Sequence, residues 1–191
     1  MAVLTAEAPD KIVRWHYLWY VAVALAVMIA AIVSDNLWFL NFLHVFCGLL
    51  WTGIDLFMGF VIGPILRRVD IAVRRAIAVR LTPQTLFLMP TLATITGTTG
   101  WYLAEDLGYL NLDWPQFGWV AAALALITLM TIQGFVYLLP TNLRVCFELQ
   151  KADPDPARIA AMMKRFFSAV ALQGTMQILT IIIMTRFRTG F

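Results

Sequence analysis

Residues 37–66 read LWFLNFLHVFCGLLWTGIDLFMGFVIGPIL, running from Leu37 to Leu66 with no lysine or arginine, one histidine (His44) and one carboxylate (Asp55). A helix needs about 20 mainly apolar residues to cross a bilayer core. This stretch supplies them with turns to spare, so it reads as a membrane-spanning helix. Ser34-Asp35-Asn36 breaks the chain before it and Arg67-Arg68 closes it. Pro64 falls in its last turn, where little helix remains to disrupt.

Four further spans follow on either side: 15–33, 84–104 after Pro83, 117–139 ending at Pro140, and 160–184 with a polar run-in from Ala157. The expected fold is therefore all-α: one polytopic membrane domain over residues 1–191, a bundle of five transmembrane helices. Composition agrees, with 61% hydrophobic and 13% charged residues and a mean hydropathy of +0.80. A soluble domain is about half apolar and about a quarter charged. The leading MAVLTAEAPD contains two acids and no basic run before a short apolar core, so no cleaved signal peptide is expected.

Lysine and arginine set the orientation. Lys11, Arg14, Arg67, Arg68, Arg74, Arg75, Arg80, Arg144, Lys151, Arg158, Lys164 and Arg165 fall on one side, against Arg186 and Arg188 on the other. The N-terminus is accordingly expected in the cytoplasm and the C-terminus outside. Basic residues gathered beside spans bind lipid, not nucleic acid. Residues 67–80 read as an amphipathic segment in the cytoplasmic interface, with a partner-docking face as the alternative. Trp15, Trp19, Trp38, Trp101, Trp114 and Trp119 lie near span ends, as interfacial aromatics do. Cys47 and Cys146 form no CxxC pair and read as small buried residues.

An internal echo runs through the chain. Gly59-Phe60-Val61 with Pro64 and Arg67 resembles Gly134-Phe135-Val136 with Pro140 and Arg144. Two hairpins, spans two–three and four–five, can share ancestry; proline and arginine at helix exits also arise independently.

The chemistry concentrates on one helix face. His44, Gly48, Trp51 and Asp55 recur at i, i+4, i+7 and i+11, which places them on a single stripe. Ionisable groups in hydrocarbon are costly and mark function by default. Eleven residues at ~1.5 Å rise separate His44 from Asp55 by roughly 16 Å, so the two cannot share one metal or one proton. Gln173, Gln177, Thr180 and Met184 repeat the same spacing on span five. Facing antiparallel spans would set Gln173 level with Asp55, and Thr180 or Met184 level with His44. Gln133 of span four is expected near Asp55, with Tyr17 or Tyr20 at the cytoplasmic edge. Each residue also has a plain structural reading: glutamines as interhelical glue, glycines as close-approach points, Asp55 as a hydrogen-bonded core carboxyl.

His44 is the candidate cofactor or metal ligand, since heme iron takes histidine in this setting. Gly48 would leave room for a flat macrocycle, Trp51 would wall it, and Met184 is a candidate second ligand. His16 lies at the wrong end to serve. The chain has no c-type heme motif, HExxH, GxSxG or phosphate loop.

Leu43-His44-Val45-Phe46-Cys47-Gly48-Leu49-Leu50-Trp51-Thr52-Gly53 resembles the L-H-x-x-x-G-x-x-W-x-G signature of a loose group of bacterial membrane proteins. That group comprises the CopD copper-resistance family, the membrane domain of some urate oxidases and the HemJ-type protoporphyrinogen oxidases. Gly63-Pro64, Arg67-Arg68 and Thr96-Gly97 extend the resemblance to the first of these. It implies a small helical bundle in the bacterial inner membrane, with an early-span histidine that binds heme b or, less readily, copper. Span three carries no second histidine or lysine, and Asp55 has no place in the pattern. Three readings stay open: a redox protein exchanging electrons with quinone or a partner; a permease or ion-handling protein using the His44–Asp55 seam; and an accessory subunit of a larger membrane complex or homo-oligomer, with no cofactor.

Overall fold

The computed structural model describes residues 14–151 and 153–190; Lys11 and the leading decapeptide lie outside the described residues. Among those described, every regular element is helical. A 3-10 turn (Trp15–Tyr17) opens into α1 (Leu18–Val33). The Asn36 side chain accepts the Phe39 N–H at 3.0 Å and so caps α2 (Leu37–Leu56). A π-helical turn (Phe57–Ile62) joins α2 to α3 (Gly63–Arg68) without a break. After Val69-Asp70 comes α4 (Ile71–Asp106). Beyond a 3-10 turn at Tyr109–Asn111, α5 (Phe117–Ile132) continues through a second π turn (Gln133–Leu138) into α6 (Leu139–Leu149). Asp155 then caps α7 (Pro156–Thr189), accepting the Ala157 and Arg158 N–H groups at 2.9 and 3.1 Å.

Among the described residues, four continuous helices are long and apolar enough to cross a membrane: Trp15–Val33, Leu37–Arg68, Phe117–Leu149 and Pro156–Phe187. The long helix outside that group is α4, and its position explains its composition. It lies at the centre, with α1, α2, α6 and α7 all packed on it. Its buried residues include Thr82, Thr85, Thr91, Thr96 and Thr99. A helix wrapped by its neighbours presents little outward surface, so hydroxyls replace part of its apolar side chains.

Two sequence expectations change here. Residues 67–80 are not one segment: Arg67 and Arg68 end α3, while 71–80 form the first turns of α4 and run unbroken into 84–104. Arg74 ties that corner, donating to the carbonyls of Arg67 and Val69 at 3.3 Å each. Pro83 does not start a helix; α4 passes through both Pro83 and Pro90. Thr85 and Thr91 beside them bond back to their own helix, Thr85 to the Leu81 carbonyl at 3.3 Å and Thr91 to that of Phe87 at 2.7 Å.

The sequence echo has a structural counterpart. Both Gly-Phe-Val triplets fall inside the π turns, and in each case a proline follows as the second residue of the next helix, Pro64 in α3 and Pro140 in α6. A helix proline collides with the carbonyl four residues back. Here those are the carbonyls of Phe60 and Val136, and the widened turn accommodates the conflict. The Gly63 N–H bonds to Met58 O and the Leu139 N–H to Gly134 O, each five residues back. The same device thus bends the first long helix of each hairpin.

The two hairpins close on one another through small residues. A Cβ on Gly59 would lie 2.6 Å from Ala171 Cα, one on Gly63 2.9 Å from Phe167 Cβ, and one on Gly174 2.9 Å from Leu56 Cδ2. Glycine lets the π turn and α7 touch backbone to backbone. The outer surface is strongly apolar: Val136 is 71% exposed, and Phe42, Leu49 and Ile182 also point outward, while carboxamides and hydroxyls are buried among the apolar core side chains. The six tryptophans near helix ends are exposed, whereas Trp51 is 6% exposed and faces in. Cys47 and Cys146 are free and buried.

Candidate functional site

Asp55 sits in the last turn of α2, just before the π turn, and is 1% exposed. Its Oδ2 accepts from Gln173 Nε2 at 3.3 Å and from Gln177 Nε2 at 3.1 Å. The polar stripes of α2 and α7 therefore meet at this level. The register follows from the small residues: Gly59 against Ala171, and Leu56 seated on Gly174 between the two glutamines. The Trp51 side chain, one turn up α2, is buried on the same face and lines the pocket beside the carboxylate. Both glutamines are 3% exposed. Each spends its amide donor on Asp55, and the Oε1 atoms of both are buried without a hydrogen-bond partner. No Lys, Arg or His ion-pairs with Asp55 among the described residues, whose ion pairs both involve Glu148.

Beside the carboxylate lies a cavity of about 60 Å³, lined by Asp55, Gln173, Trp51, Thr85, Thr131 and Asn142 together with apolar side chains. That volume exceeds the roughly 10–15 Å³ needed for one water, and the few polar groups on its wall give a water partners. Gln133 is not among Asp55's partners; its Nε2 donates to the Ala169 carbonyl at 2.8 Å and fastens the second π turn to α7. The Tyr17 ring packs tilted by 43° against Tyr20 and meets Phe87 edge-on. Two contributors escaped the sequence reading. Asn142 and Thr85 are buried and bonded at 3.2 Å, Nδ2 to Oγ1. In the sequence Pro140 reads as a helix end and Asn142 as part of a connection, whereas the helix continues through Pro140 to Leu149.

His44 stands apart from this cavity. It is half-buried, and its Nδ1–H donates to the Thr96 carbonyl of α4 at 2.9 Å. Thr99 Oγ1 lies 3.4 Å from the same nitrogen, and that hydroxyl donates to the Ile95 carbonyl at 2.6 Å. A carbonyl can only accept, so the proton is assigned to Nδ1 and the lone pair to Nε2. The ring lies flat against Gly100, where a Cβ would come within 2.7 Å of Cε1. Gly100→Ala is expected to push the imidazole off Thr96 and destabilise the protein by roughly 1–3 kcal/mol. A thermal melt checks this, and Gly97→Ala on the same helix, with nothing within 4 Å of the added carbon, should be near neutral.

The anchored tautomer fits the outer partner of a metal-bound histidine. A macrocycle on the Gly48 face does not fit. The room expected there holds Thr96, whose Cγ2 lies 3.3 Å from where a Gly48 Cβ would be. Met184 is half-buried on α7 and makes no hydrogen bond to His44 among the described residues. The described residues also contain no cluster of three His, Cys, Asp or Glu side chains. Comparison with protein-family models, curated proteins and solved structures gave no match.

Proposed function

We propose that this chain is a five-span protein of the bacterial inner membrane that handles a proton or monovalent cation at Asp55. The observation that carries the reading is a fully buried carboxylate, bonded only by neutral groups, on the wall of a pocket between the helices that also carries Thr85 and Asn142. A carboxylate held this way among apolar helices is expensive, and such groups mark ion pathways. Further polar stations supply a route. Thr85 and Asn142 lie on the basic-loop side of Asp55, and Thr99, Thr96 and His44 on the other. Trp51 separates the two halves, and an aromatic plug at that level provides a barrier that prevents an open leak.

The reading takes α4 as the fifth span, since its 36 residues exceed the crossing length and its threonines are shielded by neighbours. It keeps the N-terminus cytoplasmic on the strength of the basic residues. Reporter fusions at Asp35, Ala72, Gly108 and Asp153 should read outside, inside, outside, inside; a cytoplasmic signal at Gly108 contradicts the topology.

Function is tested in proteoliposomes. Wild type under an imposed ion gradient should show flux, read by an internal pH- or cation-sensitive dye, and Asp55→Asn should reduce it at least about tenfold. Equal flux in both, or none above empty vesicles, removes the reading.

A redox reading retains one observation: the Nδ1 anchor on Thr96 leaves His44 Nε2 as an acceptor. Together with the resemblance of Leu43–Gly53 to heme- and copper-linked membrane proteins, this supports heme b or copper at His44 Nε2, away from the Gly48 face that Thr96 fills. Oxidised and reduced absorption spectra of the purified protein decide it, with a Soret band lost in His44→Ala as the supporting result.

A further inference from the structure

Resting on the ion-handling reading, we propose that Asp55, Gln173 and Gln177 form a binding site for a single alkali-metal cation, Na⁺ or K⁺. Three observations meet at the cluster. The site carries one negative charge, and no cationic side chain among the described residues pairs with it. It holds two carboxamide oxygens, Gln173 Oε1 and Gln177 Oε1, that are buried and lack any donor. The adjoining cavity of about 60 Å³ has space for an ion with a few waters.

Buried polar atoms in native proteins are nearly always satisfied, so two orphan acceptors on neighbouring turns of one helix call for a donor or a cation. A proton on Asp55 would bring a single O–H donor and could satisfy one of the two. A cation takes the carboxylate and both amide oxygens together. Rotation of each amide, which exchanges nitrogen for oxygen, directs the oxygens to the ion, and the ion's attraction for three oxygens offsets the loss of the two Nε2–Asp55 bonds. Hard cations prefer such all-oxygen sets. Charge selects valence: a monovalent ion leaves the buried site neutral, whereas a divalent ion would leave a net positive charge where desolvation is severe.

Trp51 lines the same pocket as Asp55 and is the inward-facing tryptophan, so it reports on the site. Purified detergent-solubilised protein is titrated with NaCl, KCl or choline chloride at constant ionic strength, and both tryptophan emission and Tm are read. Na⁺ or K⁺, but not choline, should change the emission saturably and raise Tm by a few degrees. The emission response should vanish in Trp51→Phe, and both responses should vanish in Asp55→Asn. Gln177→Leu, which keeps the carboxylate, should weaken binding about tenfold and carries the test if Asp55→Asn does not fold. Identical behaviour in all three salts, or a response that survives Asp55→Asn, overturns the site. Asp55-dependent proton flux without any alkali-ion response overturns the cation assignment and leaves proton handling intact. Alkali-ion binding without flux does the reverse.

Discussion

Asp55→Leu is expected to lower stability by about 2–5 kcal/mol. The leucine fills a similar volume, so the loss does not come from a cavity. It comes from the Nε2 donors of Gln173 and Gln177, which now bond the carboxylate at 3.3 and 3.1 Å and would be left facing an apolar side chain. Each unsatisfied buried donor costs roughly 1–3 kcal/mol. Asp55→Asn keeps one acceptor and should lose less. The triple variant Asp55→Leu, Gln173→Leu, Gln177→Leu removes donors and acceptors together and should recover most of the stability, because a buried polar cluster replaced whole by apolar groups is close to neutral. Thermal melts of the four proteins in detergent check this. A destabilised triple variant combined with a neutral Asp55→Leu would contradict the energetic coupling. A stable but flux-dead triple variant would show that the cluster is kept for function and not for folding.

Gly59→Val should be at least as damaging, at roughly 3 kcal/mol or more. The added Cβ would lie 2.6 Å from Ala171 Cα and 2.7 Å from its nitrogen. A side chain can swing away from such a collision, but a helix backbone cannot. The π turn and α7 would have to separate, loosening the contact of Met58, Phe167 and Val170 in the core beside it. The same movement would pull Gln173 away from Asp55, so loss of ion response should accompany loss of stability. Gly53→Ala is the matched control: it lies on the same long helix with nothing within 4 Å of the new carbon, and it should gain roughly 0.5–1 kcal/mol from helix propensity. Equal melting temperatures for Gly59→Val and Gly53→Ala would show that the close crossing at Ala171 does not exist in the folded protein.

Sequence alone determined the helical class, four of the long apolar helices and the stripe that unites His44, Gly48, Trp51 and Asp55 on one face. These are local properties. Hydropathy sums along the chain, helical periodicity fixes which residues share a face, and the rise per residue separates His44 from Asp55 without reference to any neighbour. The spacing of Gln173 and Gln177 was likewise visible, and antiparallel hairpins made their meeting with Asp55 a natural expectation. What lay beyond reach depended on another helix. Pro83 and Pro140 look like helix ends, yet α4 runs on through Pro83 and a π turn before Pro140 lets that helix continue, which is why Asn142 joins the cavity. Gln133 faces the right region but bonds to the Ala169 carbonyl instead of the carboxylate, a choice made by the placement of α7. The space beside Gly48 looked empty in one dimension, and α4 fills it with Thr96. Only the tertiary structure decides such matters, because a missing side chain is room for a cofactor or room for a neighbouring helix, and the helix that packs there settles which.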